Sequence, residues 1–276
     1  MARSYLFIPA NVPRMLQNAD VFEADALIFD LEDAVSSHEK DEARALLARF
    51  LDEHRPEGVE LYVRVNSDDD LEKDLRTIAP YDVNIVLPKA RSAAIGNLTT
   101  LFKRLKRRFR VLALIETPKA FFELDVIAED KMVDGLILGA VDLLNETGGT
   151  FSEDGDALLF PRNKLHYAAR AADIRSIDTP WPRVKEGLEH DIKRTAALGF
   201  DGKCAIHPNQ VPSINEAMSP SPDALYKALR IIKKYESEQT TRFSLDGEMV
   251  DKPVIEKARR LLDKAKRYGM EVGEDG

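Results

Sequence analysis

The chain has 276 residues, a formal net charge of −8 and a single cysteine, with 44% apolar residues. That length suits one barrel-sized domain with a real core, and the acidic balance argues against wholesale nucleic-acid binding while allowing a local basic mouth for an anionic ligand. One cysteine excludes an intrachain disulfide and points to a reducing compartment. The opening Met1-Ala2-Arg3-Ser4 leads into a short apolar strand, not a secretory h-region. No apolar stretch approaches the ~20 residues of a membrane span, so a cytoplasmic protein with no membrane and no nucleic-acid partner is expected.

Eight strand candidates follow in order: 5–9, 26–31, 61–66, 84–88, 111–116, 135–140, 176–178 and 203–207. Most are continuous apolar runs, as parallel strands covered on both faces should be. The seventh is short and polar. Helical patterns separate them, including 41–53, 98–108 and 118–129, the last with Pro118 in its first turn. Repeated strand-then-helix units predict an α/β fold, a (β/α)8 TIM barrel over residues 1–219. After Pro220-Ser221-Pro222 the rhythm changes. Residues 220–276 read as a C-terminal helical extension and lid, with a helix over 223–238, an Asp246-Gly247 turn and a last helix from Pro253.

In such a barrel, chemistry sits at the strand C-termini. The run Val111–Ile115 ends at Glu116, and Gly135–Val141 ends at Asp142. Two carboxylates on adjacent strands, facing one pocket, suit a hard cation whose remaining positions go to water and substrate oxygens. That describes Mg2+. No Cys/His spacing suggests zinc. Arg64 lies inside a β-branched strand, where burial needs a partner, and its planar fork suits a carboxylate. Asp30, Glu32 and Asp33 crowd negative charge, so at least one should pair with Arg64 or orient water on the cation. Lys89 is either a Schiff-base nucleophile or, as expected here, one half of an ion pair. His207 reads as a hydrogen-bonded strand-end histidine and Cys204 as a core thiol.

Several segments together resemble the citrate lyase β-subunit family of CoA-ester lyases, within the HpcH/HpaI aldolase superfamily. They are Tyr5–Ala10, Asp30–Val35, Val63–Asn66, Leu87–Lys89, Ile115–Pro118, Gly199–Lys203, Ala205–Pro208 and Asp246–Pro253. The resemblance implies a magnesium-dependent lyase that splits a carboxylated 3-hydroxyacyl-CoA thioester, of malyl or citramalyl type, into an acyl-CoA and a 2-oxo acid by a retro-Claisen-type reaction. It implies Glu116 and Asp142 as metal ligands and Arg64 as the grip on a substrate carboxylate. It also implies Asp251 as the acid and base, carried on a lid, often from a neighbouring subunit of a homotrimer or hexamer. Glu32 or Asp33 would orient water or Arg64. Arg14, Lys40 and Arg44 are candidate contacts for the anionic CoA nucleotide. Two departures stand out: Val141 where the family commonly has Glu, and Asn18 where it often has Lys. The alternatives are a citrate lyase β subunit working on an acyl-carrier-protein partner, a malyl-CoA thioesterase, and a non-catalytic barrel.

Overall fold

The structure is a computed structural model that describes residues 2–152, 155–184 and 186–270. Eight parallel strands close into a barrel in chain order. They are β1 (Ser4–Pro9), β2 (Ala26–Asp30), β3 (Glu60–Arg64), β4 (Asn84–Leu87), β5 (Val111–Ile115), β6 (Val133–Leu138), β7 (Arg175–Asp178) and β8 (Gly202–Ala205). All eight expected strands form, each within a residue or two of the expected start. The helices of this part are α1 (Pro13–Gln17), α2 (Lys40–Glu53), α3 (Leu71–Ile78), α4 (Ser92–Leu105), α5 (Pro118–Phe121), α6 (Leu124–Ala128), α7 (Ala140–Thr147), α8 (Asp156–Ala171), α9 (Leu188–Leu198) and α10 (Val211–Met218).

The continuous apolar runs have a direct cause, since both faces of each strand are covered. On β2, Ile28 faces the barrel interior with Tyr5, Tyr62, Leu112, Ile137 and Cys204. Its neighbour Phe29 faces outward and meets Phe50 of α2 edge-on at 5.5 Å between ring centroids. Cys204 is fully buried, and burial pushes its thiol pKa up, as expected for a packed core thiol.

Two expected elements differ. The helix foreseen over 118–129 is two short helices, α5 and α6. At the break, Glu123 turns its carboxylate to accept from the backbone N–H and hydroxyl of Ser92, both at 2.9 Å. The helix foreseen over 98–108 starts earlier, at Ser92, and ends at Leu105, where Lys106 adopts a left-handed φ of 52°.

Cα packing divides the chain into two compact units, one spanning Ala2–Asn215 and the other starting at Glu216. The second unit holds α11 (Pro222–Glu238), an antiparallel hairpin of β9 (Phe243–Leu245) and β10 (Glu248–Val250), and α12 (Lys252–Arg267). Its own core comprises Ala228, Ile231, Phe243, Val250, Ile255 and Ala258. The hairpin turns on Asp246-Gly247, both with positive φ, at 53° and 82°, as a two-residue primed turn requires. No helix among the described residues is long and apolar enough to cross a membrane.

Candidate active site

A cavity of about 340 Å³ opens at the C-terminal end of the barrel. Its walls carry Glu116 and Asp142 together with Asp30, Asp33 and Arg64, set against an apolar surface that includes Phe7, Leu114, Ile137 and Ile206. The two carboxylates expected as metal ligands therefore share one pocket.

Glu116 follows β5 and is 3% exposed. Its Oε1 accepts the backbone N–H of Lys89 at 2.6 Å. Oε2 accepts no hydrogen bond among the described residues. Burial, with the charges of Glu32 and Asp142 adding to it, raises the Glu116 pKa to about 8. A carboxylate so placed is short of positive charge.

Asp142 is not at a strand end. β6 stops at Leu138, Gly139 is the N-cap, and Asp142 falls in the first turn of α7. A helix N-terminus favours a carboxylate there. Gly139 is dictated by Glu116: a Cβ at that position would lie 2.5 Å from the Glu116 Cβ and 2.9 Å from Oε2.

Among the described residues, no three His, Cys, Asp or Glu side chains converge as a ready-made metal cage. The donor set is two carboxylates, one buried and one half-buried, beside open space. That fits a small hard cation that keeps several waters and accepts substrate oxygens, as Mg2+ does.

Arg64 closes β3 with its guanidinium 12% exposed. Nε donates to Asp30 Oδ1 at 2.7 Å and Nη2 to Asp30 Oδ2 at 2.5 Å. Nη1 lies 3.0 Å from Glu32 Oε2 and 3.4 Å from Asp33 Oδ2. Burial opposes the charge, but the Asp30 hydrogen bonds and the three acids outweigh it, and the Arg64 pKa rises. The guanidinium also sits 5.2 Å from the centroid of the Phe7 ring. The two-point contact expected for a substrate carboxylate is thus made with Asp30, and only the Nη1 side faces other acids.

Glu32 is nearly buried, and burial raises its pKa despite the opposing pull of Arg64. Its Oε1 accepts from Lys89 Nζ at 3.2 Å, so Lys89 forms the expected ion pair. Asp33 stays exposed. All three acids pair with Arg64, and Asp30 is the one that makes the two-point contact. It also accepts the backbone N–H of Glu32 at 2.9 Å, which shapes the loop after β2.

The three cations foreseen around a CoA nucleotide differ from one another. Arg44 is a correction. It is 6% exposed and spends its guanidinium on Asp74, at 2.8 Å, and on Asp41, because a charge this buried needs partners. Lys40 Nζ donates to the carbonyls of Leu31 and Glu32, at 2.7 and 2.6 Å, tying down the loop after β2. Arg14 is exposed on α1, without a side-chain partner among the described residues.

His207 is hydrogen-bonded just past β8, its Nδ1 accepting from the N–H of Asn209 at 3.1 Å. In the second unit, Asp251 is exposed and is the N-cap of α12, its Oδ1 accepting from the N–H of Val254 at 3.3 Å.

Residues 3–208 match the HpcH/HpaI aldolase/citrate lyase family model, and residues 159–270 match a model for C–C bond lyases of the TIM-barrel fold. The chain is 34% identical to the citrate lyase subunit beta of Haemophilus influenzae, over 96% of this chain and 97% of that protein. It is 34% identical to the (3S)-malyl-CoA thioesterase of Cereibacter sphaeroides, over 95% and 94%. The crystal structure of CitE from Mycobacterium tuberculosis in complex with magnesium, acetoacetate and coenzyme A superimposes with a TM-score of 0.79 at 31% identity, over 96% of this chain and 98% of that one.

Proposed function

This chain belongs to the HpcH/HpaI aldolase/citrate lyase family, and we propose that it is a magnesium-dependent carbon–carbon lyase for a carboxylated 3-hydroxyacyl-CoA thioester of malyl or citramalyl type. The products are an acyl-CoA and a 2-oxo acid. One observation carries the reading: Glu116 and Asp142 line the same cavity as Arg64, with Glu116 buried and its pKa raised to about 8.

Glu116 and Asp142 would hold the magnesium ion. Its charge, when bound, favours loss of the substrate hydroxyl's proton and polarises the carbonyl that replaces it. Arg64 supplies fixed positive charge to the substrate carboxylate from its Nη1 side, while Asp30 keeps the guanidinium in place. The apolar wall of Phe7, Leu114, Ile137 and Ile206 limits water at the bond that breaks.

As that bond breaks, its electrons pass to the thioester's α-carbon, giving an enolate, and the hydroxyl becomes the carbonyl of the 2-oxo acid. Asp251 protonates that carbon; the hydroxyl's proton passes to water and Asp251 regains one from water, so no net acid is consumed. Asp251 is exposed here, and we assign it to a lid that serves the site of a neighbouring copy in a homo-oligomer. Arg14 is our remaining candidate for the CoA phosphates.

The likeness to citrate lyase subunit beta favours a second reading, in which the thioester is carried on an acyl-carrier protein. The test is an assay with malyl-CoA and citramalyl-CoA, with magnesium and then with EDTA, following 2-oxo acid and free thiol in parallel. Magnesium-dependent 2-oxo acid without free thiol supports the lyase. Free thiol without 2-oxo acid makes it a thioesterase. Activity only with an acyl-carrier-protein thioester selects the second reading, and silence with every thioester leaves a non-catalytic barrel.

A further inference from the structure

We infer that Thr179 is a positioning residue for Asp142, supplying from β7 the helix cap that α7 does not have for itself. The inference rests on the reading of Asp142 as a metal ligand.

A helix leaves its first N–H groups without intrahelical partners, and a side chain at the N-cap normally accepts one of them. The N-cap of α7 is Gly139, which has no side chain. It cannot be replaced by Ser, Thr or Asp, because any Cβ there would collide with Glu116 at 2.5 Å. The packing that lets Glu116 sit against this loop therefore removes the ordinary cap. Thr179, immediately after β7, fills the gap: its Oγ1 accepts the backbone N–H of Ala140, the first residue of α7, at 3.2 Å. Both residues are fully buried, so no water competes for this N–H.

Thr179 is itself held in place. Its carbonyl accepts from Lys203 Nζ at 2.7 Å. Lys203 is locked between Asp178 Oδ2 at 2.9 Å and Asp191 Oδ2 at 2.6 Å. Arg162 binds the same two acids, at 2.9 and 2.7 Å, and all four side chains are buried. The cluster is charge-balanced, with two cations and two anions. It contains no group that reaches solvent. Its outlet toward the cavity is Thr179, which lines that cavity beside Asp142. The path thus runs from a rigid ionic cluster, through Thr179, to the first turn of α7 and the Asp142 carboxylate.

The test compares Thr179→Val, which keeps the shape and removes the acceptor, with Thr179→Ser, which keeps the acceptor. Binding of Mg2+ is followed by calorimetry, binding of Mn2+ by its electron paramagnetic resonance spectrum, and the cap by hydrogen exchange at the Ala140 amide. Thr179→Val should speed exchange at Ala140 and weaken metal binding about tenfold, as loss of a partner that orients a ligand does. Thr179→Ser should restore both, and Thr179→Ala should match Thr179→Val if the latter folds poorly. Fast exchange with unchanged metal affinity in Thr179→Val overturns the positioning role. Unchanged exchange overturns the cap. Asp142→Asn is the control: if it binds Mg2+ as tightly as the parent, the metal reading itself fails, whatever Thr179 does.

Discussion

The backbone N–H of Lys89 donates to Glu116 Oε1 at 2.6 Å, and Lys89 makes that bond with a left-handed φ of 47°. Left-handed backbone costs a non-glycine residue roughly 1–2 kcal/mol. Here it aims an N–H at a buried acid of the cavity, while the Lys89 ammonium reaches Glu32 at 3.2 Å. Backbone strain at a site is a recurring companion of function.

Lys89→Gly separates the two contacts. It keeps the N–H and removes the strain, but loses the ammonium. The ion pair involves a half-exposed lysine and contributes at most about 1 kcal/mol, a loss that the relieved strain offsets. Mg2+ affinity should stay within about threefold of the parent, and the melting temperature should change little. A loss of affinity of a hundredfold would assign the role to the ammonium.

Metal binding should depend on pH. The Glu116 pKa of about 8 lies above the ordinary 4.5, so without a cation the protein prefers to keep this group protonated. Its contribution to stability is complete below about pH 4.5 and is lost as pH rises through about 8. Magnesium requires the carboxylate and must displace that proton. Its affinity should therefore rise from pH 6 toward pH 8, by up to about tenfold per unit, and level off above. The thermal stabilisation produced by Mg2+ should grow over the same range, and EDTA should remove it. Glu116→Gln should bind no Mg2+ and should flatten the stability profile of the metal-free protein. Calorimetry and melting curves across this range check both statements.

Arg44 and Arg14 should respond in opposite ways. Arg44→Met leaves Asp74, fully buried, without its cation. Breaking one side of a buried pair costs about 3–5 kcal/mol, so urea denaturation should show a loss of that size, with the KM for a CoA thioester unchanged. Arg14→Ala should leave stability within about 0.5 kcal/mol, as for any free surface position, and raise KM with kcat intact. A stable Arg44→Met protein with a raised KM would reverse the assignment.

The barrel was legible because strands covered on both faces are largely apolar, as the runs of β1, β2, β4 and β5 show. β7 obscures the pattern because it carries Arg175, Ser176 and Asp178, each satisfied by residues distant in sequence. Arg175 pairs with Glu60 at 2.7 Å, Ser176 bonds His166 at 2.9 Å, and Asp178 binds Arg162 and Lys203, both at 2.9 Å. Polarity that looks like a loop in one dimension is internal ionic packing in three. The same limit hid Arg44, whose burial depends on Asp74 thirty residues away. Glu116, Asp142 and Arg64 could be found because apolar runs point at them or enclose them. An apolar run, residues 26–29, also points at Asp30, but that it makes the two-point contact with Arg64 emerges only when β2 meets β3; Thr179 carries no local signal, since its role arises only where β7 meets the start of α7. One clue to the last was present: a glycine directly before Asp142's turn, where a helix ordinarily wants a capping side chain.

Asp251 offers the sharpest separation of chemistry from structure. It is the N-cap of α12, and asparagine caps a helix as well as aspartate does. Asp251→Asn should therefore keep stability and Mg2+ affinity while turnover falls by at least about a hundredfold, the range for loss of a positioned acid or base. If metal binding falls with it, the assigned role is wrong. The lid's origin can be read from mixtures. Asp251→Asn and Glu116→Gln chains, each inactive alone, should regain part of the parent activity after unfolding and refolding together, because an active site could combine the intact Glu116 of one chain with the intact Asp251 of another. No recovery, with mixed oligomers demonstrated by mass spectrometry, would place Asp251 and Glu116 of the same chain in one site.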